Sequence, residues 1–114
     1  MPPSVEDRLL DIKDAIMEIA DILKDVDFDQ FKSQRRTRHL VERYLEIACE
    51  AALRLPDHVK EQASEIDWRK MTDFANLLRH AYHATKVDSV WDIVQNHLPP
   101  LKSFVERRLA ASDS

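Results

Sequence analysis

Apolar residues recur every three or four positions through most of this 114-residue chain. Such spacing places apolar side chains along one face of an α-helix, where they can be buried together. No alternation typical of β-strands is evident, and there is no internal repeat. The pattern therefore predicts an all-α fold. The first series of apolar residues with this spacing, which predicts the first helix, consists of Val5, Leu9, Ile12, Ile16, Ile19 and Leu23.

Capping residues and prolines divide the chain into helices. Ser4 is a suitable N-cap for the first helix, which should end near Asp25. The second should run from about Asp29 to Leu55, because Pro56 cannot continue it. The apolar face of the second helix is wide and should lie centrally in the fold. Its members are Leu40, Val41, Tyr44, Leu45, Ile47, Ala48, Ala51, Ala52 and Leu55.

Two further helices complete the prediction. Asp67 is a fair N-cap for the third, which should fade near Ala84. Thr85 and Asp88 have the spacing of a capping box that starts the fourth helix. The proline pair at 99–100 should kink that helix, because each proline lacks an amide hydrogen. With a short connector helix at about 57–63, the sequence predicts an up-and-down four-helix bundle.

Composition narrows the possible functions. Glycine is absent, which argues against Gly-rich phosphate-binding loops. The lone cysteine, Cys49, excludes an intrachain disulfide and a cysteine-based zinc site, and we expect it to be a small buried hydrophobe. The length predicts one domain over residues 1–114, with frayed ends at about 1–3 and 110–114. With no signal peptide and no apolar run near the roughly 20 residues of a membrane helix, we expect a cytoplasmic protein.

Charge is distributed unevenly along the chain. The formal net charge is −4, yet residues 32–43 carry five cationic side chains against one carboxylate, for a net +4. Within this segment Arg35, Arg36 and Arg38 form a basic patch. The patch is compatible with a phosphate-bearing partner, and equally with a solvated helix start.

The third predicted helix concentrates polar side chains on one face. On a helical wheel Met71, Phe74, Leu78, Ala81 and Tyr82 share the opposite, apolar face. A polar face of a helix is either a surface exposed to solvent or a functional site. Histidine can move a proton and arginine can hold a phosphate, so together they suffice, without a metal ion, for attack of a ribose 2′-hydroxyl on the adjacent phosphate. The polar face consists of Thr72, Asn76, Arg79, His80 and His83.

Several segments, in order, resemble one family. Residues 45–56, LEIACEAALRLP, resemble the signature LEIIGEAAKRLP of HepT-like proteins of the HEPN superfamily. Residues 67–68, 76–82, 90–94 and 98–102 resemble the second half of the same family. The match extends from about residue 4 to residue 109.

This resemblance implies an all-helical bundle that forms a homodimer. Members are often toxins of toxin–antitoxin pairs, and these toxins cleave RNA without a metal ion or other cofactor. For this chain the resemblance implies a pair of a type II/VII-like kind. The implied partner is a minimal nucleotidyltransferase antitoxin, which can transfer AMP to the motif tyrosine. That tyrosine corresponds to Tyr82. The basic patch then becomes a candidate contact either for the RNA backbone or for an acidic surface of the antitoxin.

The family motif, Arg-x4-His-x-Tyr, is incomplete in this chain. Its histidine corresponds to His80, but its arginine position is Ala75. Since Arg79 lies four residues beyond Ala75 on the same flank of the helix, we expect it to replace the motif arginine. Asn76 would position the substrate or the imidazole, and His83 would assist.

Two other functions stay open at this point. The missing motif arginine favours a catalytically silent HEPN bundle that serves as a binding or scaffold partner of a nucleotidyltransferase. A helical adaptor unrelated to nucleotides is the third.

Overall fold

A computed structural model of the protein describes residues 3–80 and 87–112, and all regular secondary structure in these two ranges is helical. The predicted all-helical bundle is confirmed. The helices are α1 (Val5–Ile22), α2 (Phe28–Ser33), α3 (Arg35–Leu53), α4 (Asp57–Lys60), α5 (Trp68–His80), α6 (Val87–Asp92) and α7 (Leu98–Ser112), with a π-helical turn (Ile93–His97) between the last two.

The first helix begins with a complete capping box. The Ser4 hydroxyl accepts from the Asp7 amide at 3.1 Å, and the Asp7 carboxylate accepts from the Ser4 amide at 3.1 Å. These two bonds satisfy amide groups that have no partner within the helix. After α1, Asp25 takes the left-handed conformation with φ of 62°. Asp tolerates this region better than most residues, which lets a chain without glycine turn sharply here.

The second predicted helix was wrong as a single unit, because the structure divides it into α2 and α3. Gln34 adopts φ −94° and ψ 88°, which breaks the helical path between them. A second capping box, Asp27 with Gln30, starts α2. The Arg38 guanidinium donates to the Lys32 carbonyl across the break, so a tertiary contact supports the bend. Neither proline nor glycine marks this position in the sequence.

The core lies mainly between α1, α3, α5 and α7. Four residues of the first apolar series, Leu9, Ile12, Ile16 and Ile19, are buried as predicted. On α3 the buried residues are Val41, Leu45, Ala48, Cys49, Ala51 and Ala52, and Leu55 beyond its end is also buried. Leu40 was assigned wrongly to the core, since 47% of it is exposed. It lies just beyond the turn of α3 that carries the basic patch.

Two aromatic contacts fix α5 against the last part of the chain. Trp68 packs edge-on against Phe104 with ring centroids 5.7 Å apart, and Phe74 packs edge-on against His97 at 5.0 Å. Residue numbers rise along one partner as they fall along the other, so α5 runs antiparallel to the segment from the π-helical turn through α7. The Trp68 indole also donates to the Lys60 carbonyl at 3.0 Å, which attaches α4 to the start of α5.

The predicted kink near the proline pair is a π-helical turn. The amide of Leu98 donates to the Ile93 carbonyl, five residues back. Pro99 and Pro100 directly follow this turn, at the start of α7. Neither has an amide hydrogen to donate to a carbonyl of the preceding turn, so the series of helical hydrogen bonds is interrupted here. The apolar stripe resumes after the turn, with Leu101, Phe104, Val105 and Leu109 buried.

An aromatic cluster attaches α2 to α6. The ring of Trp91 lies 5.7 Å from that of Phe28 and 5.2 Å from that of Phe31, which is fully buried. These two phenylalanines therefore anchor α2. The predicted end of the third helix at Ala84 and the capping residue Thr85 lie outside the described residues. None of the described helices is both long enough and apolar enough to cross a membrane.

Candidate active site on α5

Helix α5 presents a polar flank beside its buried face. Met71 and Ala75 are buried on the core side, with Ala75 completely inaccessible. Asn76 and Arg79 are exposed, and His80 is the last residue of the helix. Spacings of three and four residues place Asn76, Arg79 and His80 on one side of the helix. Of the predicted polar face, Asn76 and Arg79 are thus exposed on one side of α5.

The Arg79 side chain is held by a carboxylate from α3. Its Nη2 donates to Oε1 of Glu50, while Oε2 of the same carboxylate lies 3.9 Å from Nη2 of Arg54. The Glu50 side chain is 22% exposed and that of Arg79 46%. A guanidinium has five N–H donors, and the contact with Glu50 uses one of them, so the group retains donors for a phosphate.

Ala75 leaves no open space beside Arg79. The family motif has an arginine at this position, yet the alanine methyl is fully covered by neighbouring atoms. The Arg79 guanidinium crosses to Glu50 on α3. The position of Arg79 is therefore set by a contact between two helices, which spacing along α5 alone could not reveal.

The remaining predicted site residues lie beyond the end of α5. Tyr82 and His83 are outside the described residues, as is the side chain of His80. The roles assigned to these three side chains rest on their positions in the sequence.

The three arginines of the basic patch differ in their exposure and contacts. Arg35 and Arg36 are exposed, whereas Arg38 uses its guanidinium to bond the Lys32 carbonyl. Burial raises the pKa of Glu42 above its usual range, although His39 and Arg38 oppose this shift. From Arg36 to Glu50 the axis of α3 rises about 20 Å. The exposed arginines are therefore well separated from the polar flank of α5.

Cys49 is the residue before Glu50, but it faces the core. It is fully inaccessible, and burial raises the pKa of its thiol to about 12. A thiol with that pKa stays protonated at neutral pH and is a poor nucleophile. The interpretation of Cys49 as a buried hydrophobe is confirmed.

Glu50 is the contact residue that sequence reasoning missed. Its signal was a charged residue inside a largely apolar run, at a helical spacing of four from Glu46 and Arg54. These residues also line an open groove of about 250 Å³ between α1 and α3, together with Arg8, Asp11, Arg43, Ile47 and Ala51. Among the described residues, no three His, Cys, Asp or Glu side chains are grouped so as to hold a metal ion.

Comparisons with known proteins agree on one family. A family model described as Ribonuclease HepT-like matches residues 12–108. The "Probable ribonuclease HepT" of Thermococcus cleftensis is 35% identical over 107 residues, which is 94% of this chain and 97% of that protein. A Methanocaldococcus jannaschii protein named "Putative RNase" is 30% identical over 98 residues, covering 86% of this chain and 90% of its own. No solved structure matches.

Proposed function

Because the chain belongs to the HepT-like ribonuclease family, we propose that it cleaves RNA without a metal ion. The observation that supports this best is the guanidinium of Arg79, which Glu50 on α3 holds. Asn76 lies on the same flank of α5, and His80 is the residue that follows Arg79 in the helix. A fixed cation next to a group that titrates near neutrality is what cleavage by the ribose 2′-hydroxyl needs.

In the proposed reaction the 2′-oxygen attacks the adjacent phosphorus. His80 accepts the 2′-hydroxyl proton as the bond from O2′ to phosphorus forms. The bond from phosphorus to O5′ breaks, the leaving 5′-oxygen takes up a proton from solvent, and His80 later releases to solvent the proton that it accepted. The products are a 2′,3′-cyclic phosphate and a 5′-hydroxyl end. Arg79 stabilises the charge on the phosphate oxygens, Asn76 positions the substrate, and His83 assists proton transfer.

Cleavage of RNA by the purified protein in the presence of EDTA tests this proposal. Arg79→Ala and His80→Ala should each lower the rate at least about a hundredfold, since charge stabilisation and proton transfer typically contribute that much. Arg69→Ala is the matched control, because Arg69 is an exposed arginine near the start of the same helix. Unchanged rates in both site variants would overturn the proposal, and so would strict dependence on a divalent metal.

We further propose that the protein is the toxin of a toxin–antitoxin pair with a minimal nucleotidyltransferase. Transfer of AMP to the Tyr82 hydroxyl would add bulk and negative charge two residues from His80 and compete with RNA phosphate. Mass spectrometry after co-expression should show a gain of one AMP group, which Tyr82→Phe abolishes. Absence of the gain in the unmutated protein would contradict this part of the proposal.

The homodimer and the use of the basic patch belong to the same proposal. Arg35 and Arg36 are exposed and would contact either RNA phosphates or the antitoxin. The salt dependence of binding, measured for each partner separately with an Arg35→Gln/Arg36→Gln variant, distinguishes the two. Light scattering gives the oligomeric state.

A second function is favoured by one observation, the buried Ala75 in place of the motif arginine. In this alternative the protein is a catalytically silent bundle that binds the nucleotidyltransferase as a scaffold. The purified protein would then leave RNA intact while still forming a stable complex with its partner.

A further inference from the structure

We propose that Glu50 is a positioning residue, which orients the guanidinium of Arg79 for the scissile phosphate. This inference rests on the proposed function, because it assigns a role within the same site. Glu50 belongs to α3 and Arg79 to α5. The carboxylate therefore fixes the arginine from a neighbouring helix.

The two carboxylate oxygens of Glu50 serve two different cations. Oε1 accepts from Arg79, and Oε2 lies 3.9 Å from Arg54. The Glu50 side chain is 22% exposed, whereas that of Arg54 is 62% exposed. The Glu50 carboxylate is thus less exposed than either guanidinium, 46% for Arg79 and 62% for Arg54, and contacts both of them.

Arg79 needs such a contact because of where it lies. It is the next-to-last residue of α5, and arginine has a long side chain with high rotamer entropy. A single anchoring bond selects the rotamers that direct the guanidinium toward α3. Since the Arg79 side chain is 46% exposed, N–H groups that Glu50 does not use are available to a phosphate.

A carboxylate beside a phosphate site also repels the substrate. Glu50 should therefore favour correct orientation in the transition state and not tighter binding of RNA. Arg54 offsets part of its charge. These opposing effects predict a particular kinetic signature: loss of the carboxylate charge should lower kcat while KM stays the same or falls.

A cycle of Glu50→Gln, Arg79→Ala and the double variant tests the assignment with RNA cleavage as the readout. Glu50→Gln should lower kcat about tenfold, as expected for a charge-assisted hydrogen bond replaced by a neutral one. In the Arg79→Ala background the same change should have no further effect on kcat, because its influence passes through Arg79. Glu50→Asp should retain part of the wild-type kcat.

Glu46→Gln is the matched control. Glu46 lies one turn earlier on α3 and pairs with Arg43 at 3.6 Å, so its loss removes a similar ion pair without contacting Arg79. A full kcat for Glu50→Gln, or an equal loss of kcat in the presence and absence of Arg79, overturns the positioning role and leaves the proposed function intact. RNA left uncut by the unmutated protein overturns the proposed function, and this inference with it. Should Glu50→Gln fail to fold by circular dichroism, Glu50→Asp decides: a kcat equal to that of Arg79→Ala contradicts the inference.

Discussion

The imidazole of His97 and the ring of Phe74 pack in a T-shaped arrangement, with ring centroids 5.0 Å apart. The Nε2 of His97 also lies 3.5 Å from the Asp92 carboxylate, so one side chain contacts both α5 and the end of α6. We predict that His97→Ala lowers the free energy of unfolding by about 1–2 kcal/mol, since an aromatic pair contributes about 0.5–1.5 kcal/mol beyond its buried area. His97→Phe, which keeps the ring, should lose less. Urea denaturation gives both values.

The control for this prediction is His58→Ala, because His58 is an exposed histidine on α4 with no ring contact or ion pair in the described part of the chain. Equal stabilities of the two alanine variants would show that the Phe74 contact contributes nothing.

Restoring the family arginine at position 75 should harm this protein. Ala75 is fully inaccessible, so an arginine there must displace its neighbours or turn outward past them. Overpacking alone costs about 1–3 kcal/mol, and a partly buried guanidinium adds a desolvation cost. We therefore expect Ala75→Arg to lower the midpoint of urea denaturation without raising the rate of RNA cleavage. Thr72→Arg, at an exposed position one turn earlier, controls for the added charge. Higher activity at unchanged stability would refute this prediction.

Cys49 should be unreactive as long as the protein is folded. Its thiol is buried, with a pKa raised to about 12 by burial, and it is the only thiol in the chain. A colourimetric thiol reagent at pH 8 should react slowly with native protein and rapidly, to one equivalent, in denaturant. Cys49→Ala should retain RNA cleavage, with about 1 kcal/mol lower stability from the smaller side chain. Rapid labelling of native protein would contradict the buried position.

Glu65 should give the stability a dependence on acid pH. A hydrogen bond from its own backbone amide, followed by the bond from Arg107, lowers the pKa of this carboxyl below its usual 4.5. A carboxyl with a lowered folded-state pKa stabilises the fold above its unfolded pKa, and this contribution disappears as the pH falls through the folded value. Glu65→Gln should therefore lower the melting temperature at pH 7, and the difference should narrow as the pH falls below 4.5 and through the lowered pKa of the folded state. Because the carboxyl is solvent-exposed, the effect should be small.

Thermal unfolding of the wild type and of Glu65→Gln, at pH 7 and at acid pH, measures this difference in melting temperature. The control is Glu61→Gln, since Glu61 is exposed and its side chain makes no ion pair among the residues described. A melting-temperature difference between Glu65→Gln and wild type that persists at low pH would contradict the assignment.

The sequence predicted a helix boundary correctly where residues close to it in the chain determine that boundary. Ser4 was predicted as an N-cap from its residue type and position, and its hydroxyl accepts from an amide three residues away. The break at Gln34 had no such signal, since it is supported by Arg38 reaching a carbonyl six residues back. The contact between Glu50 and Arg79 joins residues 29 positions apart, and no spacing rule specifies such a pair. The residue types of the site could thus be predicted, but not the carboxylate that holds its arginine.

The π-helical turn shows how this chain accommodates an irregular spacing. Ile93 and Leu98 are both buried although they are five residues apart, which in a regular α-helix would place them about 140° apart around the axis. The wider π-helical turn brings both side chains to the same side of the helix. Its effect is that of one extra residue accommodated within a single helical turn. A version of this chain shorter by one residue here would need only a regular α-helix. Insertion or deletion of one residue at this point would therefore change the winding of one helical turn. The buried faces of the helix before and after that turn would stay aligned with each other.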